Sequence, residues 1–516
     1  MSSPPKKPVS DESGTDSSSA SYRQILKSSS IVGGAEGVDY LIRMVQIKIV
    51  AILLGPAGVG LVGLYQSSLD LVRTFTSLGI TSSGVREVAE AHGCGDPEKI
   101  SQTVKTLRRA SWVTGFFGWI LTIALSYPLS LWIFESGDRV WPIALLGITL
   151  LLSSVSGGQK AMLQGVRRIG DLARLNVLSS MVGTVVAIAL YAWLGENGIV
   201  PVLITMAAFN LCTSWWFARK VGVVTVKQSF TETWQNSKRL IGLGLAFMWS
   251  GLLIAGVALA IRSLIVQQLG LDANGIYQAA WGISGIFAGF ILGAMGADFY
   301  PRLTTVADDD TAVNKLVNEQ TEIGILLALP GIIGTLAFSP WMLQIFFTSK
   351  FLPGADLLPW FAIGVFGRVI SWPMGFIQLA KGAGRWFTAT QSVYNLIHLT
   401  LSIVLFRWVG LLGIALAYAA LHAFYVIALR WVSGRLSNFR WTPTVLRLFV
   451  ASTLLVVTEF CVQRWILGLL GLAVGGMLFA ISGIFSLRGI ASRLGEAHRL
   501  VKLACRIPGG RKVCGL

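Results

Sequence analysis

Runs of about 20 apolar residues recur along almost the whole chain, and they leave it few ways to fold. Each run can cross the ~30 Å hydrocarbon of a bilayer as a helix. In lipid every backbone N–H and C=O must be satisfied internally, so continuous apolar runs of this length read as transmembrane helices. A content of 53% hydrophobic and 13% charged residues over 516 positions, with a mean hydropathy of +0.66, fits a polytopic membrane protein and excludes a soluble domain. The expected fold is all-α, with fourteen spans near 26–54, 59–80, 110–133, 140–159, 173–194, 199–218, 240–268, 276–299, 322–347, 356–380, 386–406, 411–431, 445–463 and 465–486.

The net charge of +17 raises the question of nucleic acid, but the charge follows the connectors, and no nucleic-acid-binding motif is present. With the N-terminus cytoplasmic, 33 of the 42 basic residues fall in cytoplasmic segments. Only Arg139, Lys350, Arg407 and Arg464 fall outside. That asymmetry is the positive-inside pattern, and it predicts an even number of spans with both termini cytoplasmic. All external loops are short, which leaves no room there for an active site. The chain is read as not an enzyme. It lacks a nucleotide-binding P-loop and needs no cofactor, and its five cysteines have no metal-type spacing.

The chain also repeats itself. Gly63-Leu64-Tyr65-Gln66 and Gly275-Ile276-Tyr277-Gln278 each follow a long charged helix that ends in Leu-Gly. The matches lie six spans apart, so the two halves are expected to be parallel six-helix bundles related by a pseudo-two-fold axis along the membrane normal. The expected segments are a disordered cytoplasmic tail (1–22), an N-terminal bundle (23–220), a cytoplasmic linker (221–238) and a C-terminal bundle (239–432). An accessory transmembrane hairpin (433–488) and a basic cytoplasmic tail (489–516) complete the chain.

Charges inside the spans are the candidates for function, because a charge near the bilayer centre costs ~2.5 kcal/mol or more and is kept where it faces a bundle interior or a watery cavity. The first hairpin holds Glu36, Asp39, Arg43, Lys48, Asp70 and Arg73. At 100° per residue, Glu36, Asp39 and Arg43 share one face, and Gln66, Asp70 and Arg73 form a similar stripe. Arg262 lies in the seventh span near the position that Lys48 holds in the first, and Arg368 lies five residues before Pro373 in the tenth. Arginine suits a diphosphate because its planar fork makes charge-assisted hydrogen bonds. The competing structural roles are helix-to-helix pairing for Asp39 and Arg43, snorkelling for Lys48 and Arg262, and a carbonyl partner at the proline kink for Arg368. Asn395, His398, His422 and Gln378 fit interhelical hydrogen bonding or, less commonly, binding of sugar hydroxyls or relay of a proton, and Tyr65, Tyr277 and Trp281 fit interfacial anchoring or sugar stacking.

The opening hairpin, with LLGPAGVGLVGLYQ followed by a helix ending in SLGITSSGVREVAEA, resembles the Wzx-type polysaccharide flippases of the multidrug/oligosaccharidyl-lipid/polysaccharide (MOP) exporter superfamily. The match is strongest over 25–92 and recurs at 239–300; the extra hairpin and N-terminal tail depart from the twelve-span pattern common in that group. The resemblance implies an undecaprenyl-pyrophosphate-linked oligosaccharide as substrate, moved between leaflets of a bacterial inner membrane. Arg43, Lys48, Arg73, Arg262 and Arg368 are then substrate-binding candidates. Asp39, Asp70 and Glu36 are candidates for coupling to a proton or sodium ion, and membrane lipid and a polysaccharide polymerase are the implied partners. A lipid II flippase or a multidrug/cation antiporter would share the fold, the antiporter with an anionic or aromatic pocket in place of a basic one.

Overall fold

A computed structural model of the protein describes residues 13–94, 96–222, 226, 229–466 and 468–494; the side chains of 13–40, 82, 230, 231, 234–247 and scattered positions in 287–298 are outside that description. Among the described residues every regular element is helical. The first half comprises α1 (Ser13–Ser77), α2 (Ile80–Gly93), α3 (Pro97–Phe134), α4 (Val140–Gly165), α5 (Ile169–Leu194) and α6 (Ile199–Arg219). The second comprises α7 (Phe230–Thr305), α8 (Asp310–Ala337), the short α9 (Ser339–Phe346), α10 (Leu358–Ala380), α11 (Gly384–Val409) and α12 (Leu411–Ser437). Helices α13 (Pro443–Trp465) and α14 (Leu469–Leu494) pack on α8.

Eleven helical segments are long and apolar enough to cross a membrane among the described residues. Pro97–Phe134 (38 residues) runs on as one helix, whereas three others, Leu41–Ser77, Ile169–Arg219 and Met248–Ile286, hold 37, 51 and 39 residues, about twice what one crossing needs. Each is broken inside: α1 at Gly55 (φ 65°), α7 at Gly270 (φ 85°), and the third by the turn Gly195–Gly198. A side chain at φ of +65° or +85° would crowd its own backbone, so glycine is the residue that lets each helix fold back on itself. Pro56 then starts the second arm of α1, where its missing N–H costs nothing.

Among the described residues two large apolar cores stand out from smaller clusters. One joins Leu61, Leu64, Tyr65 and Val72 of α1 to α3, α4, α5 and α6; the larger one joins α7 and α8 to α10, α12, α13 and α14. A small cluster of Ala51, Val59, Ala279, Ile283, Leu343 and Phe347 bridges the halves. Outside these cores the surface is covered with exposed Leu, Ile, Val and Phe, and Trp141, Trp193, Trp408 and Trp465 stand 77–81% exposed near helix ends. An apolar shell with tryptophans at its rims is the surface of a protein solvated by lipid.

Helix α1 begins at Ser13, ahead of the apolar span; once the apolar span nucleates the helix, extending it by polar residues costs little. Residues 1–12 of the expected N-terminal tail and the end of the basic tail (495–516) lie outside the described residues. The expected span 322–347 is divided after Ala337, where Pro340 sits in the first turn of α9 and the chain turns. Asp309 caps α8 by accepting from Thr311 and Ala312 N–H, and Asp310 pairs with Lys381 at 2.5 Å. Glu459 pairs locally, accepting from Gln463 at 2.8 Å.

Candidate functional site

A cavity of about 670 Å³ lies between the halves, walled by α1, α4, α5 and α6 on one side and by α7 and the end of α9 on the other. Three basic side chains reach it: Arg43 and Arg73 of α1 and Lys160 of α4. Amides follow, with Gln46 and Gln66 of α1, Asn176 of α5, Asn210 of α6 and Gln278 of α7. Hydroxyls of Thr149, Ser153, Ser156, Ser179 and Ser180 complete the polar wall. Among the described lining residues there is no carboxylate. Ser156 Oγ donates to Asn210 Oδ1 at 3.3 Å, whereas the buried Thr149 hydroxyl has no protein partner.

The two Gly-x-Tyr-Gln motifs meet here. Gln66 and Gln278 both line the cavity, while Tyr65 and Tyr277, one residue earlier, are 2% and 3% exposed and pack into the cores. Neither tyrosine is an interfacial anchor, because the helices start inside the contact between halves. Asn274 Nδ2 donates to Gly60 O at 2.8 Å, and a Cβ on Gly275 would stand 1.9 Å from Pro56 O. The turn of each motif therefore presses against the other.

The structure distributes the charges of the spans unevenly. Arg43 and Arg73 are in the cavity wall. Asp70 holds Arg73 at 2.6 Å, with both side chains more than half exposed. Glu36 and Asp39 lie outside the described side chains. Lys48 is turned away: its ammonium donates to the carbonyls of Gln344 (2.6 Å) and Phe347 at the C-terminal end of α9, where unsatisfied carbonyls attract a cation. Arg262 is 6% exposed and also absent from the wall; its Nε and Nη2 donate to Gln278 Oε1 at 3.2 and 2.9 Å and its Nη1 to Ala258 O at 3.1 Å. Its guanidinium is thus held inside the protein against Gln278, a residue of the cavity wall, and does not reach toward the interface. Arg368 lies elsewhere, among α10, α11 and α12, with the Tyr418 phenol in hydrogen-bonding reach. Asn395 donates back to Gln391 O within α11, and Gln378 of α10 accepts from Thr390 of α11, bonds of the kind expected of polar residues in spans.

Lys160, Asn176, Asn210 and Gln278 were not evident from sequence. Ser153, Ser156 and Lys160 fall at i, i+3 and i+7, and Asn176, Ser179 and Ser180 at i, i+3 and i+4, so a polar stripe with helical period was the available signal.

A multi-pass helical membrane protein with a polar cavity between two halves defines a transporter-like class, and solved transporters share its fold. The inward-facing MATE-family multidrug transporter of the MOP superfamily superposes with a TM-score of 0.62 at 15% identity, covering 78% of this chain and 96% of its own. The lipid II flippase MurJ in an inward closed conformation superposes with a TM-score of 0.64 at 13% identity, covering 89% of this chain and 99% of its own. The model of the polysaccharide biosynthesis protein family matches residues 49–356, and the chain belongs to that family. The lipid III flippase of Escherichia coli (strain K12) is 22% identical over 73% of this chain and 90% of its own length. The kinship drawn from the opening hairpin is borne out at the level of the family: the chain belongs to the polysaccharide biosynthesis proteins, its similar relatives include a named flippase, and its fold is shared with a MOP-superfamily transporter.

Proposed function

We propose that the protein moves an undecaprenyl-pyrophosphate-linked oligosaccharide from the inner to the outer leaflet of a bacterial inner membrane by alternating access. One observation carries the reading: a cavity between the halves lined by Arg43, Arg73 and Lys160, amides and hydroxyls, without a carboxylate among the described lining residues. Such a wall suits a diphosphate and the first sugars attached to it, since charge-assisted bonds satisfy the phosphate oxygens and amides read hydroxyls. It does not suit an organic cation, which argues against a multidrug/cation antiporter. The prenyl tail stays in lipid.

In this reading the three long, broken segments each cross twice, giving fourteen spans, with 23–220 and 239–432 as the rocking halves and both termini cytoplasmic. The close contact of Pro56 with Gly275 and of Gly60 with Asn274 closes one end of the cavity, the outer end in this orientation. Asp70 gives the coupling ion a place: while ionised it holds Arg73, and a proton or sodium ion on Asp70 frees the guanidinium for the diphosphate. Net movement is then driven by an ion gradient.

The test is binding and flipping of undecaprenyl-diphosphate oligosaccharide by purified Arg43→Gln, Arg73→Gln and Lys160→Gln variants. Losing one charge-assisted contact costs ~1.5–3 kcal/mol, so each variant should bind about ten- to a hundredfold more weakly while remaining folded. Wild-type binding and flipping by all three variants would return these residues to helix packing.

A further inference from the structure

We propose that a second recognition site lies around Arg368 in the other half and takes a carboxylate carried by a sugar of the glycan, not the diphosphate. This rests on the flippase reading above. Arg368 sits on α10 with its side chain exposed, although Val365, Phe366, Val369 and Ile370 on either side of it are 1–6% exposed. It therefore faces an open space inside the bundle. The phenols of Tyr418 and Tyr394, uncharged near neutral pH, lie beside it, and no carboxylate among the described residues pairs with it. A cation within a spanning helix is costly unless water or a ligand supplies the opposite charge.

An independent observation points to the same place. His422 on α12 is 3% exposed; its Nε2 meets the Tyr394 hydroxyl at 3.1 Å, while its Nδ1 has no protein partner. Buried polar groups without partners are rare, and one beside an uncompensated arginine marks a site built for a polar guest. The surrounding rings form a cage: Tyr394 to Tyr425 and Tyr418 to His422 are both 4.5 Å between centroids, and Gln391 Nε2 holds Tyr425 OH at 3.1 Å.

Position and composition decide the ligand. Counted from α7, with its two arms taken separately and the short α9 left out, α10, α11 and α12 follow in the order that α4, α5 and α6 follow α1, α2 likewise left out. The helices around the site thus correspond, in the second half, to the first-half helices that wall the diphosphate cavity. Its chemistry differs: one guanidinium and several aromatic faces here, against three bases and small polar side chains there. A single planar fork matches one carboxylate bidentately. Aromatic faces suit the C–H surface of a sugar ring, and a diphosphate gains nothing from them.

The experiment measures binding to the full chain in nanodiscs with three probes: undecaprenyl diphosphate without sugar, the same lipid with a neutral disaccharide, and the same lipid with a disaccharide containing a hexuronate. Wild type should prefer the hexuronate lipid to the neutral one by about tenfold or more. Arg368→Gln should erase that preference, weakening the hexuronate lipid at least about tenfold more than the sugar-free one. Arg43→Gln should instead weaken all three. Should Arg368→Gln fail to fold, Arg368→Lys and Tyr418→Phe carry the test, each expected to narrow the same preference. Equal binding of neutral and hexuronate lipids by wild type overturns this inference alone. Equal weakening of all three lipids by Arg368→Gln assigns the site to the diphosphate and also overturns it. Binding of none of the lipids by wild type overturns the flippase reading itself.

Discussion

Arg73 and Arg262 are both cations in apolar helices, yet only Arg73 reaches the cavity. Sequence reports that a charge stands in a span; it does not report which way the side chain turns. That is why Arg43 and Arg73 were legible, while Lys48 and Arg262, equally conspicuous, are engaged with carbonyls and with Gln278. The reverse failure has the same root: Asn176 and Asn210 carry no charge, and small polar residues in a span are as often interhelical glue as ligand contacts. The structure gives Arg262 a positioning role with a distinct consequence. Arg262→Met keeps the stem but strips both donors from Gln278 Oε1, and should weaken binding of the lipid-linked glycan about five- to tenfold, ~1 kcal/mol. Gln278→Leu should do the same, and the double variant should lose little more, because residues acting as a unit are not additive. Fully additive losses, measured by titration of the lipid into each purified variant, would show that Arg262 does not work through Gln278.

At the scale of elements, the repeat was readable because its consequence is local. A Leu-Gly ending, a turn and Gly-x-Tyr-Gln appear twice, and the structure sets a positive-φ glycine at both Leu-Gly ends, Gly55 and Gly270. What the pattern did not reveal is that the two turns touch. Gly275 is the residue that permits it, since any Cβ there would collide with the Pro56 carbonyl. Gly275→Ala must push α1 and α7 apart and should destabilise the protein by ~1–3 kcal/mol in thermal unfolding. Gly285→Ala is the control, because nothing lies within 4 Å of its added Cβ and alanine is the better helix former. Equal melting temperatures for the two variants would show that the tight contact does not contribute to stability. Span boundaries were less legible: α3 starts at Pro97, well before its apolar run, because an Asp96 cap and a proline at the first turn begin a helix that hydropathy alone does not see.

For the whole molecule, each half has its own apolar core and the two meet along α1 and α7, where Ala51, Val59, Ala279 and Ile283 cluster and Asn274 bonds to Gly60, so the rocking proposed above must repack this seam. The proposed orientation rests on the basic connectors. A reporter fused after Lys220 should face the cytoplasm and one in the Glu196–Gly198 turn the outside; the opposite result for both would invert the direction of transport. Coupling is tested by Asp70→Asn, which should abolish the response of flipping to an imposed proton or sodium gradient while leaving the protein folded; an unchanged gradient response would remove Asp70 from coupling. The central claim is tested most directly in proteoliposomes that hold the purified protein and an undecaprenyl-diphosphate oligosaccharide with a fluorescent sugar. The fraction of label accessible to a membrane-impermeant quencher is followed over time with and without an ion gradient. The account predicts that label moves between leaflets only in vesicles containing the protein, and faster down an imposed proton or sodium gradient. Identical movement in protein-free vesicles, under every gradient, would contradict it.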